Sequence, residues 1–78
     1  MIATDMLGQN VQEGETVIHI KGKIMSQCIL DKIFDNTIKL VWSGDRKPYG
    51  IISKNPDGNY PILSEDNFEN LMDSLNNR

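Results

Sequence analysis

Cysteine and histidine occur once each in this chain, as Cys28 and His19, and that scarcity excludes several chemistries at once. A lone cysteine forms no internal disulfide, which fits a reducing compartment. One Cys and one His hold a metal only if carboxylates complete the set, and no spacing here suggests it, so neither metal nor cofactor is expected. Long apolar runs are missing too; none nears the roughly 20 residues that span a bilayer. The opening Met1-Ile2-Ala3-Thr4-Asp5 lacks the basic and apolar regions of a signal peptide. The expectation is a soluble, cytoplasmic chain with no membrane association. Charge blocks are also absent: charged residues make up 24% and are interspersed, which argues against wholesale disorder.

What is present is enough for one small domain. A chain of 78 residues buries only about 60% of its unfolded surface, so it needs an efficient core, a partner, or both. The opening phrase Asp5-Met6-Leu7-Gly8-Gln9-Asn10-Val11-Gln12-Glu13-Gly14-Glu15-Thr16-Val17 reads as a tight reversal, a single buried valine, a second reversal at glycine and then a strand. Residues 16 to 24 read as that strand, with Thr16, Ile18, Ile20 and Ile24 on the core face and His19 among the residues opposite. Gly22 within it is a place to release curvature. Cys28 to Phe34 is a second apolar run. Asp35-Asn36 offers a hairpin turn, and Thr37 to Trp42 returns with Ile38 and Leu40 facing in. Tyr49 to Lys54 is the next strand. Asn55-Pro56-Asp57-Gly58 is the strongest turn signal in the chain and predicts a hairpin closing onto 59 to 62, with Pro61 marking an edge.

After Leu63 the period changes. Phe68, Leu71, Met72 and Leu75 fall on one face of a helix over about 65 to 75. Ser64 is its N-cap, Glu65 and Asp66 suit its positive end, and Leu63 and Phe68 form a staple. Together these signals predict one domain over 1–78: a strongly bent antiparallel sheet or barrel of four to five strands between 15 and 63, then a helix over 64–76. The helix is expected to dock on the sheet, or on a second copy, through its four apolar residues. A helix over 28 to 42 is the competing reading, since Ile29, Leu30, Ile33 and Phe34 also suit a helix face.

Chemistry-bearing residues are few. His19 reads either as a general base or pH switch, or as a solvent-facing strand residue; no nucleophile accompanies it in a local motif. Cys28, in apolar surroundings, reads as an inert buried thiol. No carboxylate pair has a catalytic pattern, and no enzyme activity is expected. The segment 42–50 stands apart, gathering the only tryptophan (Trp42), Tyr49, Asp45, and the adjacent cations Arg46 and Lys47. Trp, Tyr and Arg are enriched at interface hot spots. The same set could stack a base and grip a phosphate, or simply flank a solvated loop. Gly44 and Gly50 do not make a phosphate-binding P-loop.

The phrase Asp5-x-x-Gly8-x-x-Val11-x-x-Gly14-Glu15-x-Val17, followed by short strands, resembles the start of small barrel proteins of tailed phages, of the Src-homology-3 or KOW type. That resemblance covers residues 2 to 24 by motif and 24 to 63 by strand rhythm. It implies a phage-encoded accessory protein that binds or inhibits a host or phage complex in the host cytoplasm. Two function classes follow. One is a protein-binding module, which could also self-associate as a homodimer, with Trp42, Asp45, Arg46, Lys47 and Tyr49 as the contact set. The other is a nucleic-acid-binding barrel with Lys21, Lys23, Arg46, Lys47 and Lys54 on phosphates. The net charge of −3, with Glu65, Asp66, Glu69 and Asp73 clustered late in the chain, favours the first.

Overall fold

The computed structural model describes residues 1–76. Seven strands and one helix follow in order: β1 (Ala3–Thr4), β2 (Asn10–Val11), β3 (Thr16–Lys21), β4 (Ile24–Ile33), β5 (Thr37–Trp42), β6 (Pro48–Ser53), β7 (Ile62–Ser64) and α1 (Glu65–Asn76). The last five strands form one antiparallel sheet in the order β6-β5-β4-β3-β7, while β1 and β2 pair with each other alone. The fold is mostly β with a C-terminal helix. The sheet stays open: β6 and β7 are its two edges and do not meet, so no barrel closes.

Local chemistry explains the turns, including one that the sequence reading missed and one whose connection it misjudged. Gly22, with φ of 61°, begins a two-residue turn that puts Lys21 opposite Ile24. A glycine at the first central position matches the twist of the flanking strands. The stretch 16 to 24 is therefore not one bent strand but a strand, a turn and the first residue of β4. The turn at 55 to 58 forms as expected, with Gly58 N–H donating to Asn55 O at 2.9 Å and Gly58 at φ 88°. It closes no hairpin, however. The chain crosses beneath the sheet and adds β7 to the far edge, with Val17 opposite Ser64 and His19 opposite Ile62. Residues 28 to 42 are strand, not helix, and Phe34 N–H bonds Thr37 O at 2.9 Å across the Asp35-Asn36 turn.

The two sheet faces are covered by different things. One carries Val17, Cys28, Leu30, Ile33, Ile38, Leu40 and Ile62, and on it lie Ala3, Val11 and Tyr60 from the β1–β2 hairpin and the crossing segment. That layer is the core. It inverts the expected facing of β3: Val17 and His19 point into it, while Ile18 is buried on the other side and Ile20 only partly covered there. His19 is 6% exposed, so the solvent-facing reading is wrong. Both parities of β3 are apolar, and only the overlying hairpin decides which is inside. Cys28 is buried as expected, and desolvation pushes its thiol pKa up to about 11.

Asp5 ties the covering layer to the sheet. Its carboxylate is fully buried and accepts four hydrogen bonds. Leu7 and Gln9 N–H donate to Oδ1 at 3.0 Å each; Ser64 N–H and Asn67 Nδ2 donate to Oδ2 at 2.9 and 2.8 Å. The Ser64 hydroxyl in turn accepts from Asn67 N–H at 3.2 Å, confirming the N-cap. The helix itself departs from expectation. Of its apolar stripe only Phe68 is half-buried; Leu71, Met72 and Leu75 are 39%, 37% and 45% exposed. No helix of the described residues is long and apolar enough to cross a membrane.

Burial pushes the Asp5 pKa up, but the four donors outweigh it and hold the carboxyl below its ordinary 3.8. Its contribution to stability is thus complete above pH 3.8 and is lost as pH falls through the lower folded value. Asp5→Asn turns an NH2 toward backbone donors and should cost about 2–3 kcal/mol at neutral pH. Thermal melts followed by circular dichroism should show that cost shrinking toward pH 3. The Tyr60 hydroxyl is buried with no hydrogen-bond partner among the described residues. Tyr60→Phe should therefore leave the melting temperature unchanged or raise it, because no protein hydrogen bond is lost with the hydroxyl.

Candidate functional site

Trp42 ends β5 and Tyr49 sits in β6, where the register between the two strands shifts at Leu40/Val41. The extra residue on β6 aims Tyr49 onto the core face of the sheet, beside Trp42. The rings meet edge-to-face, with centroids 4.6 Å apart at 78°. Behind Tyr49 stands His19, whose Nδ1 is 2.7 Å from the Tyr49 hydroxyl and whose ring is also T-shaped to it at 5.3 Å. A buried imidazole thus fixes a half-buried phenol, and the phenol fixes an indole that is 43% exposed. Edge-to-face pairs contribute about 0.5–1.5 kcal/mol beyond area burial, enough to hold an exposed ring in one orientation.

The loop beyond is closed by its own backbone. Trp42 N–H donates to Lys47 O at 2.9 Å and Arg46 N–H to Trp42 O at 3.0 Å. The Asp45 carboxylate accepts from Lys47 N–H at 3.0 Å, so Asp45 shapes the loop as well as lining the shallow depression beside Trp42 and Gly44. Arg46 has φ of 59°, the left-handed region that suits glycine and is unusual for an arginine. Its side chain and that of Lys47 are exposed.

The structure brings together all five residues singled out from the sequence: Trp42, Asp45, Arg46, Lys47 and Tyr49. Lys21 and Lys23 lie toward the same end of the sheet but further out, since Trp42 pairs with Cys28 and the β3–β4 turn stands four residues beyond it on β4. Lys54 does not. It sits at the opposite end, where its N–H bonds Asn36 O at 2.9 Å and its ammonium is 5.9 Å from the Tyr60 ring centroid. The residue that sequence reasoning left outside the site is His19, 30 residues from Tyr49. Its parity with Val17 was the available signal, obscured by Ile18.

Ser26 stands opposite His19 across the β3–β4 register, while the side-chain hydrogen bond of the imidazole among the described residues is to the Tyr49 phenol, a positioning contact. Desolvation, and then Lys21, lower the His19 pKa from its ordinary 6.5. No protein-family model, no curated protein and no solved structure matches this chain.

Because the folded pKa of His19 is depressed, the unfolded chain takes up the proton first as pH falls below 6.5. The stability present above that pH is lost progressively on acidification until the folded value is reached. Tyr49→Phe removes the phenol oxygen from a buried imidazole and should cost about 1–2 kcal/mol at pH 7.5. Proton NMR of the single histidine checks the titration directly, and chemical denaturation at pH 7.5 and 5.5 checks the slope.

Proposed function

We propose that this chain is a non-enzymatic protein-binding module of the accessory or inhibitory kind, with Trp42, Asp45, Arg46, Lys47 and Tyr49 as its contact set. The observation that carries the reading is the clamped, 43% exposed Trp42. An exposed indole held by Tyr49 and His19 loses little conformational freedom on binding, which is what an interface anchor requires. Arg46 adds a second argument: backbone strain of order 1–3 kcal/mol is tolerated where the surroundings over-determine it, often in binding loops. The resemblance of the N-terminal phrase to small phage proteins extends this reading to a phage-encoded factor acting on a host or phage complex in the cytoplasm.

A nucleic-acid reading has its own support, since Lys21, Lys23, Arg46 and Lys47 share one sheet end with Trp42. The two readings separate on salt. Phosphate contacts lose affinity steeply as salt rises, whereas an aromatic anchor in a protein pocket does not. The overall acidity of the chain favours the protein partner.

Arg46→Ala/Lys47→Ala should leave the fold intact, since both side chains are exposed. The double variant should weaken partner capture by about 1–2 kcal/mol or more, while Lys54→Ala, at the other end of the sheet, should not. Affinity capture from host extract, with binding to a single-stranded oligonucleotide at two salt concentrations, is the measurement. A folded double variant that recovers the partner as well as the parent chain places the surface elsewhere.

A further inference from the structure

The layer that covers the core face of the sheet stops short of the β3–β4 turn. Along β4 the core-side residues pass from Cys28, fully buried, through Ser26 to Ile24, which is 65% exposed. Opposite them on β3, Val17 and His19 are buried, while Lys21, the partner of Ile24, is exposed. Trp42 pairs with Cys28 and stands on the same face, at the inner end of this strip. Four residues of strand separate the level of Trp42 from Ile24, about 13 Å. Lys21 flanks the strip on the β3 side. On the β5 side the loop carrying Arg46 and Lys47 runs on beside β4, with Ser43 N–H donating to Gln27 O at 3.3 Å. β3 and β5 lie two strand spacings apart, about 10 Å.

The strip is basic although the chain is acidic. Residues 21–28 and 42–50 hold four cations, Lys21, Lys23, Arg46 and Lys47, and one acid, Asp45. The Asp45 carboxylate is turned to its own loop, accepting from Lys47 N–H. Among the described residues the ion pair is Lys39 with Asp31, so all four cations lack a carboxylate partner.

We infer that this strip binds a short extended segment of a partner protein, one carrying several carboxylates and two apolar residues about four positions apart. One apolar residue packs on Trp42 and the other on Ile24. The inference rests on the Trp42 reading above and adds to it Lys21, Ile24 and the acidic character of the partner. Size selects a segment, because a strip of about 13 by 10 Å is far below the roughly 800 Å² that each side of a stable globular interface buries. Charge selects carboxylates, which the four unpaired cations would meet on both flanks. The apolar pair selects a peptide over a single-stranded nucleic acid. Successive bases need successive aromatic faces, whereas the second exposed apolar group here is an isoleucine, and Tyr49 is held by His19 and Trp42.

Panning a displayed random-peptide library against the full chain tests this. Synthetic copies of the enriched peptides are then titrated in and followed by the emission of Trp42, the only tryptophan. The enriched peptides should be acidic, with two apolar residues about four apart, and should shift that emission to shorter wavelength. Lys21→Glu and Ile24→Ser should each weaken them about fivefold or more, and Lys54→Ala should not. Lys21 and Ile24 are exposed, and circular dichroism confirms that each variant is folded. Peptides that need Arg46 and Lys47 but are indifferent to Lys21→Glu and Ile24→Ser overturn the inference and leave the Trp42 contact set standing. Peptides that leave Trp42 emission unchanged overturn both. No enrichment, neutral or basic consensus peptides, tighter binding of oligothymidylate, or an emission shift with chain concentration alone, the mark of a second copy on the strip, would each overturn the inference.

Discussion

One buried carboxylate holds the molecule together. Asp5 gathers donors from its own turn, Leu7 and Gln9, and from the junction of β7 and α1, Ser64 and Asn67. An ionised group out of water is unfavourable unless its lone pairs are satisfied, and hydrogen bonds to a charged acceptor are worth about 1.5–3 kcal/mol each. The arrangement is therefore all-or-none. With every donor in place, the β1–β2 hairpin is pinned over the core, β7 is held at the sheet edge, and the first turn of the helix is oriented. With the carboxylate gone, three elements lose a common attachment. Neighbouring backbone bonds reinforce the same junction: Met6 N–H donates to Ile62 O at 2.9 Å and Tyr60 N–H to Thr4 O at 3.0 Å.

An open sheet carries the hazard of pairing edge to edge. At β6 that hazard is restrained by sequence. Antiparallel pairing of two β6 strands about Gly50 and Ile51 would set Lys47 of one copy opposite Lys54 of the other at both ends. Like charges directly opposite are destabilising, and Pro48 withholds a donor at the start of the strand. At the other edge β7 has only three residues, with Pro61 before it and the helix after it. Both edges of the sheet are thereby blunted.

Elements defined by local chemistry were legible in the sequence. The 3.6-residue period after Leu63, the Ser64 cap, the turn at 55 to 58, and the Ile38/Leu40 alternation all correspond to structure. What escaped depends on partners far along the chain. Ser64 and Asn67 lie 59 and 62 residues from Asp5, and no local pattern announces that meeting. The facing of β3 was misread because Val17 and Ile18 serve either side equally well, and burial on both sides is what a strand beneath a hairpin and above a helix experiences. Barrel closure was overestimated for a related reason. Short strands and tight turns suit a barrel, but the crossing of residues 54 to 61 spends the chain's remaining length on covering one face. The 42–50 segment was legible as a set of residues, whereas its rigidity, which comes from His19, was not.

β3 is the strand on which both the Trp42 cluster and the groove under α1 depend. Its core-side residue His19 holds Tyr49 and thereby Trp42, while its opposite-side residue Ile18 lines the groove under α1. Adjacent residues of one strand point to opposite faces, so the two surfaces are one peptide bond apart in sequence and separated by the thickness of the sheet. Occupation of one face therefore does not obstruct the other. The twist and position of β3 are nonetheless common to both, being set by β4 on one side and by β7, with its Asp5 anchor, on the other.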